Sequence, residues 1–155
     1  MDILRELLYN DILVCSVVAY LIAQILKLFT DFYKYKSFDF KRLLGSGGMP
    51  SSHSSTVCAL AFSCARVLGV GSPLFAFSVV LAGIVMYDAT GVRRAAGEQA
   101  KVLNHIVADL FSGNPDYSEK ALKELIGHTP LQVVMGAILG ILVGLFFPSF
   151  APPVV

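Results

Sequence analysis

The stretch Gly45-Ser46-Gly47-Gly48-Met49-Pro50-Ser51-Ser52-His53-Ser54-Ser55 concentrates the chemistry of this chain. A loop of glycines and serines exposes backbone N–H groups, and a helix starting after it points its positive end back at the loop. Together these make a site for an anion such as phosphate. His53 adds a group that moves a proton near neutral pH. A serine-capped turn uses the same residue types for structure alone, so the loop by itself does not separate the two uses.

Two further polar groups interrupt an apolar chain. Asp88 opens the first, Asp88-Ala89-Thr90-Gly91-Val92-Arg93-Arg94. Adjacent arginines at a helix start can clamp phosphate oxygens by bidentate hydrogen bonds, or anchor a membrane segment by its positive flank. His105 and Asp109, four apart, share a helix face as a catalytic pair or as an ordinary solvated one. The second group, Gly127-His128-Thr129-Pro130, leads into an apolar helix carrying Gly136, Gly140 and Gly144. Glycines spaced by four make a flat stripe for close packing, within the chain or in a homodimer.

The elements that must position these residues are membrane helices. The 155 residues are 55% hydrophobic and 15% charged, with a mean hydropathy of +0.70, which is not the profile of a soluble enzyme. Apolar stretches at 12–29, 56–70, 73–87 and 131–147 predict four spans within one membrane domain (1–155). The two middle ones rise only roughly 23 Å against a hydrocarbon core of roughly 30 Å. Arg66 is expected to snorkel from near its helix end. The periodicity of Val92–Leu110 predicts an amphipathic helix on the membrane surface, with a short helix after Ser118. The expected fold is all-α, an integral membrane helical bundle of about four transmembrane helices plus one or two interfacial amphipathic helices.

Four spans put loops 30–55 and 88–130 on one side of the membrane. Lys27, Lys34, Lys36, Lys41, Arg42, Arg93, Arg94, Lys101, Lys120 and Lys123 fall on that side, against Arg5 and Arg66 on the other. The positive-inside rule then makes both long loops cytoplasmic and both termini external. His53, Arg93, Arg94 and His128 gather on one face. Cys15, Cys58 and Cys64 lie in apolar stretches with no metal-ligand spacing and no disulfide framework. No metal or cofactor and no nucleic-acid partner is expected.

Pro50-Ser51-Ser52-His53 resembles the Pro-Ser-Gly-His motif of type 2 phosphatidic acid phosphatases and vanadium-dependent haloperoxidases. His128-Thr-Pro-Leu-Gln132-Val-Val-Met-Gly136-Ala-Ile-Leu-Gly140 resembles that superfamily's last motif, His-x-x-x-Asp-Val followed by spaced glycines. With Gly-Gly-Met-Pro-Ser-Ser-His and Gly-Val-Arg-Arg-x-x-Gly in order, the chain is most similar, over roughly residues 10–147, to the superfamily's small divergent branch, an uncharacterised membrane family.

The resemblance implies a lipid-phosphate phosphatase. In it His128 is the nucleophile that becomes a phosphohistidine, and His53 is the acid that protonates the leaving oxygen. Ser52 and the amides of Gly47 and Gly48, with Arg93 or Arg94, bind phosphate oxygens. Gln132 stands where the family has an aspartate that orients the nucleophile. The arginines stand 34 or 35 residues before His128, where the parent motif has five between. Lys34, Lys36, Lys41 and Arg42 are the candidates for the family's first basic motif. His105-Ile-Val-Ala-Asp109 also reads His-x-x-x-Asp and competes with His128. A non-catalytic protein that binds or translocates phosphorylated lipids is the alternative, motivated by Gln132; a purely structural membrane protein is the third reading.

Overall fold

The computed structural model describes residues 3–36, 48–110 and 127–149, without the side chains of Lys34, Tyr35, Arg93, Arg94 and Ala108. Every regular element among them is helical: α1 (Ile3–Leu8), α2 (Asp11–Tyr35), α3 (Ser52–Leu68), α4 (Pro73–Thr90), α5 (Val92–Leu110) and α6 (Pro130–Phe146). The fold is all-α, as the long apolar stretches dictate, since a helix satisfies its backbone polar groups internally. Asp11–Tyr33 and an apolar run beginning at Pro73 are long and apolar enough to cross a membrane, while α6 is apolar but shorter.

Helices α2, α3, α4 and α6 each start on a polar cap. The Asn10 side chain accepts from the Leu13 N–H at the head of α2 and Ser72 from Phe75 at the head of α4. Proline occupies the first turn of both α4 and α6, where its missing N–H costs nothing. Ser51 caps α3 by accepting from the Ser54 N–H. That cap starts α3 at Ser52, ahead of the apolar residues from Thr56 onward. Ser54 Oγ donates to Ser51 Oγ (3.1 Å) and Ser55 Oγ to the Ala19 carbonyl of α2 (3.1 Å). These hydroxyls are therefore buried at helix contacts rather than spread along a loop, and His53 rides on the first turn of α3.

Helix α3 is the centre of the bundle, packed against α2, α4 and α6. Its contact surfaces are small. Cys15, Ala19 and Ala23 of α2 are fully buried at every fourth position. Gly136, Gly140 and Gly144 of α6 meet α3 so closely that a Cβ on the first two would strike the Ser51 and Ser55 carbonyls. The large apolar side chains point the other way: Leu21, Ile25, Phe29, Leu74, Phe77, Ile84, Leu131 and Phe146 are all exposed. Small residues inside and large apolar ones outside suit a lipid environment, where close van der Waals packing drives helix association. All three cysteines are buried free thiols. Arg66 does not snorkel; its Nε donates inward to the Gly144 carbonyl (3.2 Å), tying α3 to α6.

Candidate phosphoryl-transfer site

His53 and His128 lie with ring centroids 6.3 Å apart and planes at 60°. Three helix ends hold them there. His53 occupies the first turn of α3, directly after its Ser51 cap. His128 immediately precedes Thr129, the cap of α6, and its backbone N–H donates to the Ala89 carbonyl at the end of α4 (3.2 Å). The Ser51 N–H donates to the Gln132 carbonyl (3.0 Å), locking the first turn of α6 to the head of α3. The positive ends of α3 and α6 thus converge beside the histidines.

Gln132 fixes the state of His128. The Thr129 N–H donates to Gln132 Oε1 (3.1 Å) while the Gln132 N–H donates to Thr129 Oγ1 (3.4 Å), a reciprocal capping box. The same Oε1 lies 3.2 Å from His128 Nδ1. A backbone N–H can only donate, so the atom facing it is the amide oxygen, and Nδ1 must carry the proton it offers to that oxygen. In the neutral ring Nε2 is then the nitrogen with the lone pair, the tautomer a nucleophile or base requires.

Both histidines border a cavity of about 240 Å³ whose other wall is Ile84, Val85, Asp88 and Ala89 of α4. His128 is buried, His53 is exposed and Asp88 is half-buried, so the cavity runs from a protected histidine to an accessible one. Among the described residues no three His, Cys, Asp or Glu side chains cluster as metal ligands.

The sequence model of the divergent PAP2 family matches residues 8–143. The chain belongs to that family. A relative described as the uncharacterised membrane protein YuiD, of Bacillus subtilis (strain 168), is 42% identical, over 94% of this chain and 98% of its own. No solved structure matches.

In this divergent PAP2 chain the residues expected at the site separate into three groups. His53, His128, Gln132 and Asp88 come together as described, and Ser52 is buried in the first turn of α3. His105 and Asp109 lie on exposed positions of α5, and neither borders the cavity that His53 and His128 share. Arg93 and Arg94 fall in the first turn of α5, with their side chains outside the described residues, and Gly47, Lys41 and Arg42 lie outside them altogether.

Lys27 is the residue that the sequence pattern hides. It continues the buried α2 stripe of Cys15, Ala19 and Ala23 by one more turn and is only 2% exposed. Its methylenes press on Gly48, which takes φ +86° and has no room for a Cβ beside Lys27 Cγ and Cδ. Thr30 Oγ1, almost one turn further on, hydrogen-bonds the Met49 carbonyl (2.6 Å). The end of α2 is therefore clamped to the loop that delivers Ser51, Ser52 and His53. The four-residue spacing was the available signal, but a lysine near the end of a span also reads as a surface anchor.

Proposed function

We propose that this protein is a multi-pass membrane phosphatase that removes phosphate from a phosphomonoester or diphosphate lipid through a phosphohistidine on His128. The observation that carries the reading is the Gln132 oxygen on His128 Nδ1, with His53 across the same cavity. In the first step Nε2 of His128 attacks phosphorus, the bond from phosphorus to the leaving oxygen breaks, and His53 gives that oxygen its proton. In the second, neutral His53 takes a proton from water as the water oxygen attacks the phosphohistidine. The P–N bond breaks, its electron pair returns to Nε2, and inorganic phosphate leaves. The helix N-termini favour charge on the phosphoryl oxygens, Ser52 with Arg93 or Arg94 are the phosphate-binding residues that the family resemblance implies, and Lys27 lies buried beneath the Gly48 loop.

A cavity of about 240 Å³ is below the roughly 300–1,000 Å³ of a typical small-molecule pocket. It suits a head group, with the rest of the substrate outside against the exposed apolar face of α4, where Ile84 borders the cavity. That division fits an amphiphile in a bilayer. The basic residues of the long loops favour a site on the cytoplasmic side. The second reading, a protein that binds or moves phosphorylated lipids without hydrolysis, rests on Gln132, whose neutral amide stabilises imidazolium less than a carboxylate does.

Phosphate release from a panel of lipid phosphates in EDTA, with His128→Ala and His53→Ala alongside, separates the two. The phosphatase reading expects release by the wild type, sensitivity to vanadate and loss in both variants. Full activity of His128→Ala removes the phosphohistidine; binding of the lipids without any turnover establishes the second reading.

A further inference from the structure

The proposed chemistry asks opposite things of two identical side chains 6.3 Å apart. His128 must be neutral to attack, and His53 must be protonated to release the leaving group. Two exposed imidazoles with an ordinary pKa near 6.5 would share the proton without preference. Catalytic pairs of like groups are made distinct by neighbours that push their proton affinities apart. On the His128 side the neighbour is the uncharged oxygen of Gln132, which takes the Nδ1 proton as a hydrogen bond but offers no full charge to hold a second one.

The counterpart is Asp88. Among the described residues the ionisable groups bordering the cavity are His53 from α3, Asp88 from α4 and His128 ahead of α6. Asp88 stands in the last turn of α4, a helix with no basic residue there, where the negative end of the helix disfavours a carboxylate. It borders the cavity together with His53, at the positive end of α3, and His128.

We propose that Asp88 is the positioning carboxylate of this site, acting from α4 to keep His53 protonated while Gln132 keeps His128 neutral. The negative charge that the nucleophile's own helix lacks at Gln132 is supplied instead on the side of the proton donor. The division of roles between the histidines rests on the phosphohistidine reading; the electrostatic coupling of Asp88 to His53 does not. The sign is fixed. A carboxylate favours the charged imidazolium and raises the pH at which His53 loses its proton, so removing it lowers that pH.

The test is a proton NMR titration of the histidine ring signals of the full chain in detergent, assigned with His53→Gln and His105→Gln. Asp88→Asn is expected to lower the His53 midpoint by about half a pH unit or more, a moderate shift because His53 is exposed and screened. The His128 midpoint moves less, and Asp88→Glu restores His53. In turnover, the high-pH limb of the rate profile moves down by the same amount. A His53 midpoint unchanged in Asp88→Asn, or a larger shift at His128, overturns the inference. Should Asp88→Asn fail to fold, Asp88→Ser gives the same two outcomes. Turnover with an unmoved His53 sinks this inference and leaves the phosphatase reading; a moved His53 in a protein that hydrolyses nothing does the reverse.

Discussion

Gly136 of α6 lies against the backbone of Ser51, so closely that a Cβ at position 136 would strike the Ser51 carbonyl. Two residues before His53 and eight after His128, this contact sets how near the heads of α3 and α6 can come. The glycine stripe is therefore part of the site's geometry as well as the bundle's packing. Together with the Ser51–Gln132 backbone hydrogen bond, it holds the histidine pair at its 6.3 Å separation.

Adding one methyl at this contact tests that link. Gly136→Ala and Gly140→Ala should each destabilise the protein by about 1–3 kcal/mol through overpacking, because the opposing atoms are backbone and cannot rotate away. Gly83→Ala, in open space on α4, should be neutral or gain up to about 1 kcal/mol of helix propensity. Thermal unfolding in detergent measures all three. Equal midpoints for Gly136→Ala and Gly83→Ala would show that α6 can move away from α3 freely.

Gln132 carries two roles that substitutions can separate. Gln132→Leu removes the acceptor for both Thr129 N–H and His128 Nδ1. It should cost about 1–2 kcal/mol of stability as a lost cap and slow phosphate release by at least about tenfold through the wrong tautomer. Gln132→Glu keeps an acceptor for both donors, so it should release phosphate faster than Gln132→Leu, while its charge favours a second proton on His128 and moves the low-pH limb of the rate profile up. A Gln132→Glu variant slower than Gln132→Leu would end the case for an orienting group at this position.

The all-α fold was legible because long apolar stretches leave a chain in lipid few alternatives to helices. The glycine stripe was legible as a packing surface but its partner was not. Ser54 and Ser55 look like loop residues until their hydroxyls find Ser51 and the Ala19 carbonyl, and only then does α3 start early enough to meet Gly136. His105 and Asp109 have the right spacing for a pair, yet spacing along one helix says nothing of which neighbour that face meets. Lys27 failed to stand out for the opposite reason: its charge drew attention away from the small-residue periodicity it continues.

Lys27 gives the next expectation. A buried ammonium is costly unless an anion pairs with it, and phosphate at the Gly48 loop would add to the charge of nearby Asp31. Lys27→Met keeps the methylenes on Gly48 and removes the charge. It should leave the unfolding midpoint unchanged or higher while weakening inhibition by vanadate by about tenfold, the equivalent of one charge-assisted hydrogen bond. Unchanged vanadate affinity would reduce Lys27 to a packing role beneath the Gly48 loop.

Arg66 supplies the contrast, since it stands in the last turn of α3 while His53 stands in the first. Its Nε holds the Gly144 carbonyl, but its Nη2 is buried without a hydrogen-bond partner among the described residues. Replacing a poorly satisfied buried cation by an apolar group of similar length is often neutral or stabilising, whereas truncating it leaves a hole. Arg66→Met should therefore retain the wild-type unfolding midpoint and phosphate release within about twofold, the range of surface effects remote from a site. Arg66→Ala should lose about 1–3 kcal/mol at the α3–α6 contact through lost packing of the side-chain stem. If Arg66→Met unfolds as readily as Arg66→Ala, the charge itself is what the bundle requires. The end of α3 far from the histidines would then be an electrostatic element, beyond its part in packing.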